Sequence, residues 1–337
     1  MIFSESVGKN DALYGNWQAP IRMLLEANEE SCKQVSIAEK LFVKEKSTGW
    51  GESYTGMTAM DGFDPVGENG AYPENDMEQG YAKTLKNVTW KSKFAVSQEM
   101  VEDSKIIDFR KRPTAFMNAF YRTRENFAAA MLGGGIGANS ADGGKTAVTF
   151  RDTAFDAACA DGLALFSKSH PSKVKGGTQS NRFSNSLTAA NLGLVETAMQ
   201  NFKGDTGEIL AVAPRVLLIP NDAALKKAAF EAVGSVDDPA SSNNAWNYQY
   251  GRWEVWVWPY LNKYLASGMS PWILLDPDYN EQCDGLIWQD RVELTVKSYI
   301  DQNTDANVWA GRARFTAGFN DWRAVAVGGV TGGTELS

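Results

Sequence analysis

The sequence of 337 residues contains a single histidine and only three cysteines. One histidine excludes any zinc site built from two or more, and it leaves a Ser-His-Asp triad a single candidate base, His170. That residue stands before Pro171 in a cationic stretch and reads as a loop residue, not a catalyst. Cys32, Cys159 and Cys283 are odd in number, far apart and without metal-ligand spacing, so they read as reduced, mostly buried thiols of a reducing compartment. No apolar run approaches the roughly 18 residues that span a bilayer. The opening MIFSESVGKN lacks the basic n-region and apolar h-region of a secretory signal. These absences predict a soluble chain made in a cytoplasm, with no metal, cofactor or membrane partner.

Charge of one sign is missing from two places. Between Lys46 and Lys83 there is no basic residue, yet there are seven acids: Glu52, Asp61, Asp64, Glu68, Glu74, Asp76 and Glu78. Seven glycines and five large aromatics (Trp50, Tyr54, Phe63, Tyr72, Tyr81) share the stretch. Glycine resists ordering, the acids repel one another, and the aromatics favour burial. Such a segment is best satisfied on another molecule's surface. From 162 to 195 the reverse holds. There is no acid, while Lys168, His170, Lys173, Lys175 and Arg182 sit among Gly, Ser and Asn. This predicts a basic surface loop, either solvated or turned to an acidic partner.

What the chain has in quantity is apolar mass. Hydrophobic residues make up 43%, with eleven Trp and sixteen Phe, enough for a sizeable core. Charged residues, at 22%, match an ordinary globular chain. A net charge of −8 and a pI near 5.0 exclude a nucleic-acid reader driven by a basic face, but not a protein that encloses nucleic acid.

Periodicity supplies a coarse map. Val35, Ile37, Leu41 and Val43 suggest a strand, and Val88–Val96 alternates as one. Residues 49–92 between them read as a long two-stranded excursion that leaves the body and returns. Pro113 suits a first helical turn, and Phe116, Phe120, Phe127 and Met131 recur on one helical face. A helix over about 113–132 follows, stopped by Gly133-Gly-Gly-Ile-Gly137, with Arg122 and Arg124 on its opposite side. Leu192, Val195, Met199 and Phe202 mark a further helix, and Asn221 caps one reaching Val233. Ile209–Ile219, Trp253–Trp258 and Trp272–Leu275 read as strands. Val292–Val296 and Arg312–Phe319 alternate, which predicts end strands that pair with the first half of the chain.

No enzyme constellation survives inspection. Gly144-Lys145-Thr146 resembles the end of a phosphate-binding loop, but the required earlier glycine is Asn139. The glycines at 133–137 follow a helix instead of opening one, which fails the dinucleotide fingerprint. Asp237-Asp238 and Asp276-Pro-Asp278 read as turn acids without calcium-loop spacing. The tryptophans from Trp246 to Trp272 read as core or subunit contact. An acidic excursion, a basic loop, a long helix and a Trp-rich unit remain, and all are interface features.

In their order and spacing these parts resemble the major capsid protein of tailed bacteriophages, and among those the Mu-type head subunits. The segments that carry the resemblance are Val96-Ser-Gln-Glu-Met-Val-Glu-Asp-Ser104, Leu132-Gly-Gly-Gly-Ile-Gly137, Asp161–His170 with Ser180-Asn181, and Trp309–Arg323. The resemblance implies an α+β chain of the Johnson fold. Its parts would be an N-terminal arm (1–48), an extended loop (49–92), a peripheral domain with the spine helix (93–186 and 286–337) and an axial domain (187–285).

It further implies self-assembly into hexamers and pentamers of an icosahedral shell in the host cytoplasm, around double-stranded DNA held without sequence recognition. An encapsulin-like compartment or another virion part is the alternative. The chain has no room for the long scaffolding segment of some family members, so a separate scaffold protein, favoured by the initiating Met1, or a leader already removed is expected, with a portal and possible decoration protein. On the extended loop Trp50, Glu52, Phe63, Glu74, Asp76 and Glu78 are the expected contacts. The expected receiving or DNA-facing cations are Arg110, Arg112, Arg122, Arg124, Lys168, Lys173, Lys175 and Arg182.

Overall fold

A computed structural model of the chain describes residues 2–3, 23, 26–27, 29, 36–57, 65–68, 70–72, 79–97, 99, 106–137, 144–174, 177–237 and 246–337. The chain is α+β. In order its elements are β1 (Ile2–Phe3), α1 (Ala38–Leu41), β2 (Val43–Lys46), β3 (Gly51–Met57), β4 (Gln79–Lys86), β5 (Val88–Val96), α2 (Ile106–Ile136), β6 (Ala147–Phe150) and β7 (Thr153–Asp156). There follow β8 (His170–Pro171), β9 (Thr178–Gln179), α3 (Ala189–Gln200), β10 (Val216–Pro220), α4 (Ala223–Gly234), β11 (Glu254–Trp258), a 3-10 turn (Pro259–Tyr264), β12 (Trp272–Leu275), α5 (Pro277–Gln282), β13 (Leu286–Asp301), β14 (Ala306–Phe319) and β15 (Val325–Gly328).

The long antiparallel ribbon β13–β14 organises the first sheet. Its register runs from Leu286↔Phe319 to Asp301↔Ala306, with bulges at Asp290–Thr295. β5 adds to β14, pairing Val88 with Phe315 and Val96 with Asn307. β1 and β2 add to β13 in parallel. The end strands thus pair with the first half of the chain, as the alternation predicts.

Strand alternation gives β14 two different faces. Gly311 lies so close to the long helix that an added Cβ would stand 2.4 Å from Phe116. Phe315, on the same face, packs its ring against Phe120 and Phe127. Gly318 faces the other way, where a Cβ would meet Leu85 of β4 at 2.3 Å. The helix therefore lies on one face of the sheet and the β3–β4 hairpin is rooted on the opposite one.

Helix α2 is longer than its periodicity suggests. It has 31 residues, about 46 Å at 1.5 Å each, with Pro113 inside it and not at its start. Packing overrides the local signal here: Pro113 is buried, and Phe116 three residues on sits 5.3 Å from Phe94. Of the glycines expected to stop it, the first three do not. Gly133, Gly134 and Gly135 stay helical because neighbours press on them: a Cβ would lie 2.7 Å from Tyr264, 2.1 Å from Val148 and 3.0 Å from Leu165 respectively. The helix ends one step later, at Gly137, whose φ of 78° is the left-handed conformation glycine tolerates.

Aromatic packing holds α2 to the sheet. The buried Phe127 ring contacts Trp90, Phe150, Phe155, Trp288 and Phe315 at centroid distances of 4.6–6.2 Å. Burying one such ring contributes roughly 1.5–3 kcal/mol.

The second sheet has the order β11-β10-β12-β15, with β10 and β11 parallel and the other pairs antiparallel. β10, β12 and β15 are buried throughout, which explains their unbroken apolar runs. Trp272–Leu275 forms the strand expected there. The strand expected over Ile209–Ile219 is confined to Val216–Pro220, since Pro214 lacks an N–H and the Ala213 N–H is taken by the Asp276 carboxylate. Helix α4 is capped by Asp222, not Asn221: its carboxylate accepts Leu225 N–H at 3.0 Å. The segment expected as a strand at Val35–Val43 is instead α1 followed by β2. Leu41 is buried in α1, and Ser36 and Ala38 are tied to Glu125 of α2.

Candidate assembly surfaces

The acidic excursion is rooted as an antiparallel hairpin, with Gly51 opposite Lys86 and Thr55 opposite Ala82. It closes at Lys86, and Val88 already belongs to the first sheet. Glu52 is turned inward on its own turn. One carboxylate oxygen accepts Thr48 N–H, Gly49 N–H and Ser47 Oγ–H, each at 2.9 Å. The Gly49 bond first, then those from Ser47 and Thr48, hold the carboxyl below the usual glutamate range. Glu52 is thus a brace for the hairpin root. Trp50 is 64% exposed, with the Lys86 ammonium 4.9 Å above its ring. Tyr54 donates its hydroxyl to Gln289 at 3.1 Å, fastening the hairpin to the sheet, and burial pushes its phenol up. Phe63, Glu74, Asp76 and Glu78 lie outside the described residues.

The expected cations separate into two groups. Arg124 is 8% exposed, not a surface charge. Its guanidinium meets Glu39 at 2.9 Å and forks onto Asp290 at 3.2 Å, while lying 4.5 Å over the Trp288 ring. Arg182 is wholly buried and donates to the carbonyls of Ile136 and Thr331, and burial pulls its guanidinium down. Lys173 donates to Gly80 O at 2.7 Å, so this end of the basic loop clasps the hairpin of its own chain. Arg112 bonds Ala95 O. Lys168 and Arg122 are exposed. Lys175, and the side chain of Arg110, lie outside the described residues.

His170 is no loop-surface residue. It is fully buried, with Nδ1 2.6 Å from Asp161 and Nε2 3.2 Å from Asn181, stacked on Trp322 at 4.3 Å. The amides of Gly144 and Lys145 donate to the carbonyls of Phe166 and Gly134. Asp276 caps α5 and accepts Ala213 N–H, and Asp278 pairs bidentately with Arg215 at 2.7 Å. Each of these groups has a local structural partner. The expected Trp246–Trp272 contact face divides: Trp258 and Trp272 are core, while Trp246 is 68% exposed beside Tyr248.

Arg122 belongs to a groove of about 490 Å³ between α2 and the edge of the first sheet. Its floor is aromatic, with Trp90, Phe116, Phe120, Phe150 and Phe315. Its cations are Arg122, Arg151 and Lys263, and no acid lines it; Lys91 also borders it, but its side chain alternates with that of Trp90 on β5. Arg151 and Lys263 escape sequence reasoning because they come from the β6–β7 turn and the 3-10 turn, and only the fold gathers them with Arg122. Arg151 is steered there by its left-handed backbone, φ 47°, and by a 3.2 Å bond to Thr123.

No curated protein matches the chain in sequence. Among solved structures it is similar to the procapsid protein of bacteriophage JBD30, at 13% identity over 95% of this chain and 75% of that one, with a TM-score of 0.47. It is similar to the capsid of Ralstonia phage GP4 at 10% identity over 87% of each chain, with a TM-score of 0.49. It is similar to a virus-like particle from Pyrococcus furiosus at 11% identity over 92% of this chain and 97% of that one, with a TM-score of 0.45. The sequence profile of a family described as phage capsid protein matches residues 81–328, most of the chain, including the long helix, the second sheet and strands β5, β13 and β14 of the first, and the chain belongs to that family.

Proposed function

We propose that this chain is the major head subunit of a tailed bacteriophage, of the Mu-type group, and that it is a structural protein without catalytic role. Copies form hexamers and pentamers that close into an icosahedral shell around double-stranded DNA. Assembly takes place in the bacterial cytoplasm with a separate scaffold protein and a portal, and a decoration protein is a possible outer partner. Residues 1–48 act as arm, 49–92 as extended loop, 93–186 and 286–337 as peripheral domain, and 187–285 as axial domain.

The observation that carries this reading is family membership across residues 81–328. The charge pattern supports it: a rooted hairpin leads into a stretch that has acids and no Lys or Arg. Each exposed ion pair between subunits contributes well under about 1 kcal/mol. Repetition through a closed symmetric assembly turns such weak contacts into selected register. The acidic body of the protein limits adhesion to enclosed DNA.

Negative-stain electron microscopy of the purified recombinant protein tests the reading. Shells, rings or capsomers are expected. A protein that stays an inert monomer at every concentration and salt overturns it.

A further inference from the structure

The one histidine of the chain is buried between two acceptors. His170 Nδ1 stands 2.6 Å from Asp161 Oδ2, and Nε2 stands 3.2 Å from Asn181 Oδ1. The Asn181 amide fits one way round only. Its Nδ2 donates to the carbonyls of Leu165 at 2.8 Å, Val325 at 3.1 Å and Trp322 at 3.3 Å, and its Oδ1 accepts Ser167 N–H at 3.0 Å. Turned over, it would set an oxygen against three carbonyls and an amino group against an N–H. Nε2 therefore carries a proton. A bare Nδ1 would then press its lone pair on a carboxylate oxygen in a buried site, so a proton lies on that line as well.

Charge pairing points the same way. The Asp161 side chain is 3% exposed, and among the described residues His170 is the basic group that pairs with it. Around the pair stand Tyr81 and Lys83 of β4, Cys159, Asp156, Asp205, Asp321 and Arg323, with Lys168 and Lys173 on the segment of His170 itself. Lys83 is taken by Asp156 at 2.6 Å, and Arg323 by Asp205 at 2.9 Å and Asp321 at 3.2 Å. A buried carboxylate without a counter-charge is costly, and the imidazole, the stronger base of the two, supplies one. The Trp322 ring, stacked at 4.3 Å, gives the cation an electron-rich face.

We infer that His170 is a buried imidazolium and that its proton latches the outer end of the β3–β4 hairpin. The residues that follow the ring reach the hairpin. Ser172 Oγ–H donates to Asp205 O at 2.9 Å, Lys173 N–H to Asp205 Oδ1 at 3.4 Å, and Lys173 Nζ to Gly80 O at 2.7 Å. Gly80 adjoins Gln79, the last paired residue of β4, whereas Tyr54–Gln289 and Lys83–Asp156 hold the hairpin nearer its root. With both nitrogens donating, β8 is fixed on two buried acceptors and Lys173 is aimed at Gly80. A neutral ring leaves one acceptor without its donor and releases the turn. The latch lies within one copy of the chain and stands independently of the shell-forming reading.

The full-length protein carries the test. Isotope-labelled histidine reports a single ring. Proton–nitrogen correlation spectra at neutral pH are expected to show both ring nitrogens protonated, and one bare nitrogen overturns the assignment. In Asp161→Asn the ring is expected to turn neutral, with amide hydrogen exchange over residues 79–86 faster by about tenfold while α2 and the second sheet keep their protection. Lys173→Met is expected to give the same faster exchange with the ring signal unchanged. Unchanged exchange in either variant overturns the latch. Where Asp161→Asn does not fold, the wild-type ring and Lys173→Met decide: a bare ring nitrogen in the first, or an unchanged hairpin in the second, overturns it.

Discussion

The carboxylate of Glu125 on the long helix accepts the indole N–H of Trp258, on the second sheet, at 2.6 Å. The same carboxylate accepts Ser36 Oγ–H at 2.5 Å and Ala38 N–H at 3.1 Å. One buried acid therefore pins the segment entering α1, the helix and the second sheet together. Glu125→Ala strands three buried donors and is expected to cost about 3–5 kcal/mol, read as a lower denaturant midpoint of the soluble subunit. Glu125→Gln retains part of the network and falls between. A loss under about 1 kcal/mol for the alanine variant refutes the node.

Arg124, next in the helix, does the equivalent work by charge. Arg124→Ala leaves Glu39 and Asp290 without their guanidinium and uncovers Trp288. Destabilisation of about 3–5 kcal/mol is expected. Arg124→Lys keeps the charge but not the fork or the stack, so it recovers only part of that loss. Thermal unfolding of the two variants side by side settles the order.

Gly134 sets helix propensity against space. Alanine is favoured over glycine inside a helix by about 1 kcal/mol. At this position its Cβ would stand 2.1 Å from the buried Val148 methyl, and overpacking typically costs 1–3 kcal/mol, so collision is expected to win. Gly134→Ala lowers the melting temperature, and Val148→Ala in the same chain relieves much of the loss. A more stable single variant contradicts the packing described.

Asp284 gives a pH signature. Burial pushes its carboxyl above the ordinary aspartate value of 3.8. In the unfolded chain the proton leaves first, so the contribution of this group is fully present in acid and is lost as pH rises from that value through the raised one. Asp284→Asn removes the loss. Its backbone φ of 47° is a conformation asparagine accepts. A gain of well under about 1 kcal/mol at neutral pH is expected, because the group is only partly buried and solvent screens it. Melting temperature followed against pH should show a shallower fall for the variant, and an unchanged slope rejects the assignment.

Local pattern was enough to read the strands whose neighbours alternate. Val88–Val96 falls where its alternation puts it, and Trp272–Leu275 where its unbroken apolar run puts it. Both are paired on regular ladders. The failures share a different cause. Pro113 and Gly133–Gly135 carry strong local signals for a helix start and stop, yet contacts with Phe94, Tyr264, Val148 and Leu165 from distant segments keep the helix running past them. Arg124 and Arg182 read as surface cations because their partners, Asp290 and the carbonyls of Ile136 and Thr331, are remote in sequence. His170 was hidden likewise, for Asp161 is near but Trp322 is not. The groove was illegible altogether, since a cluster drawn from three elements leaves no spacing to recognise.

The hairpin rises from one side of β14 and the cationic groove opens on the other. Contacts made through two different faces are polar: two copies related by a dyad leave one face of each unused, and only a ring that returns to its first member engages every face.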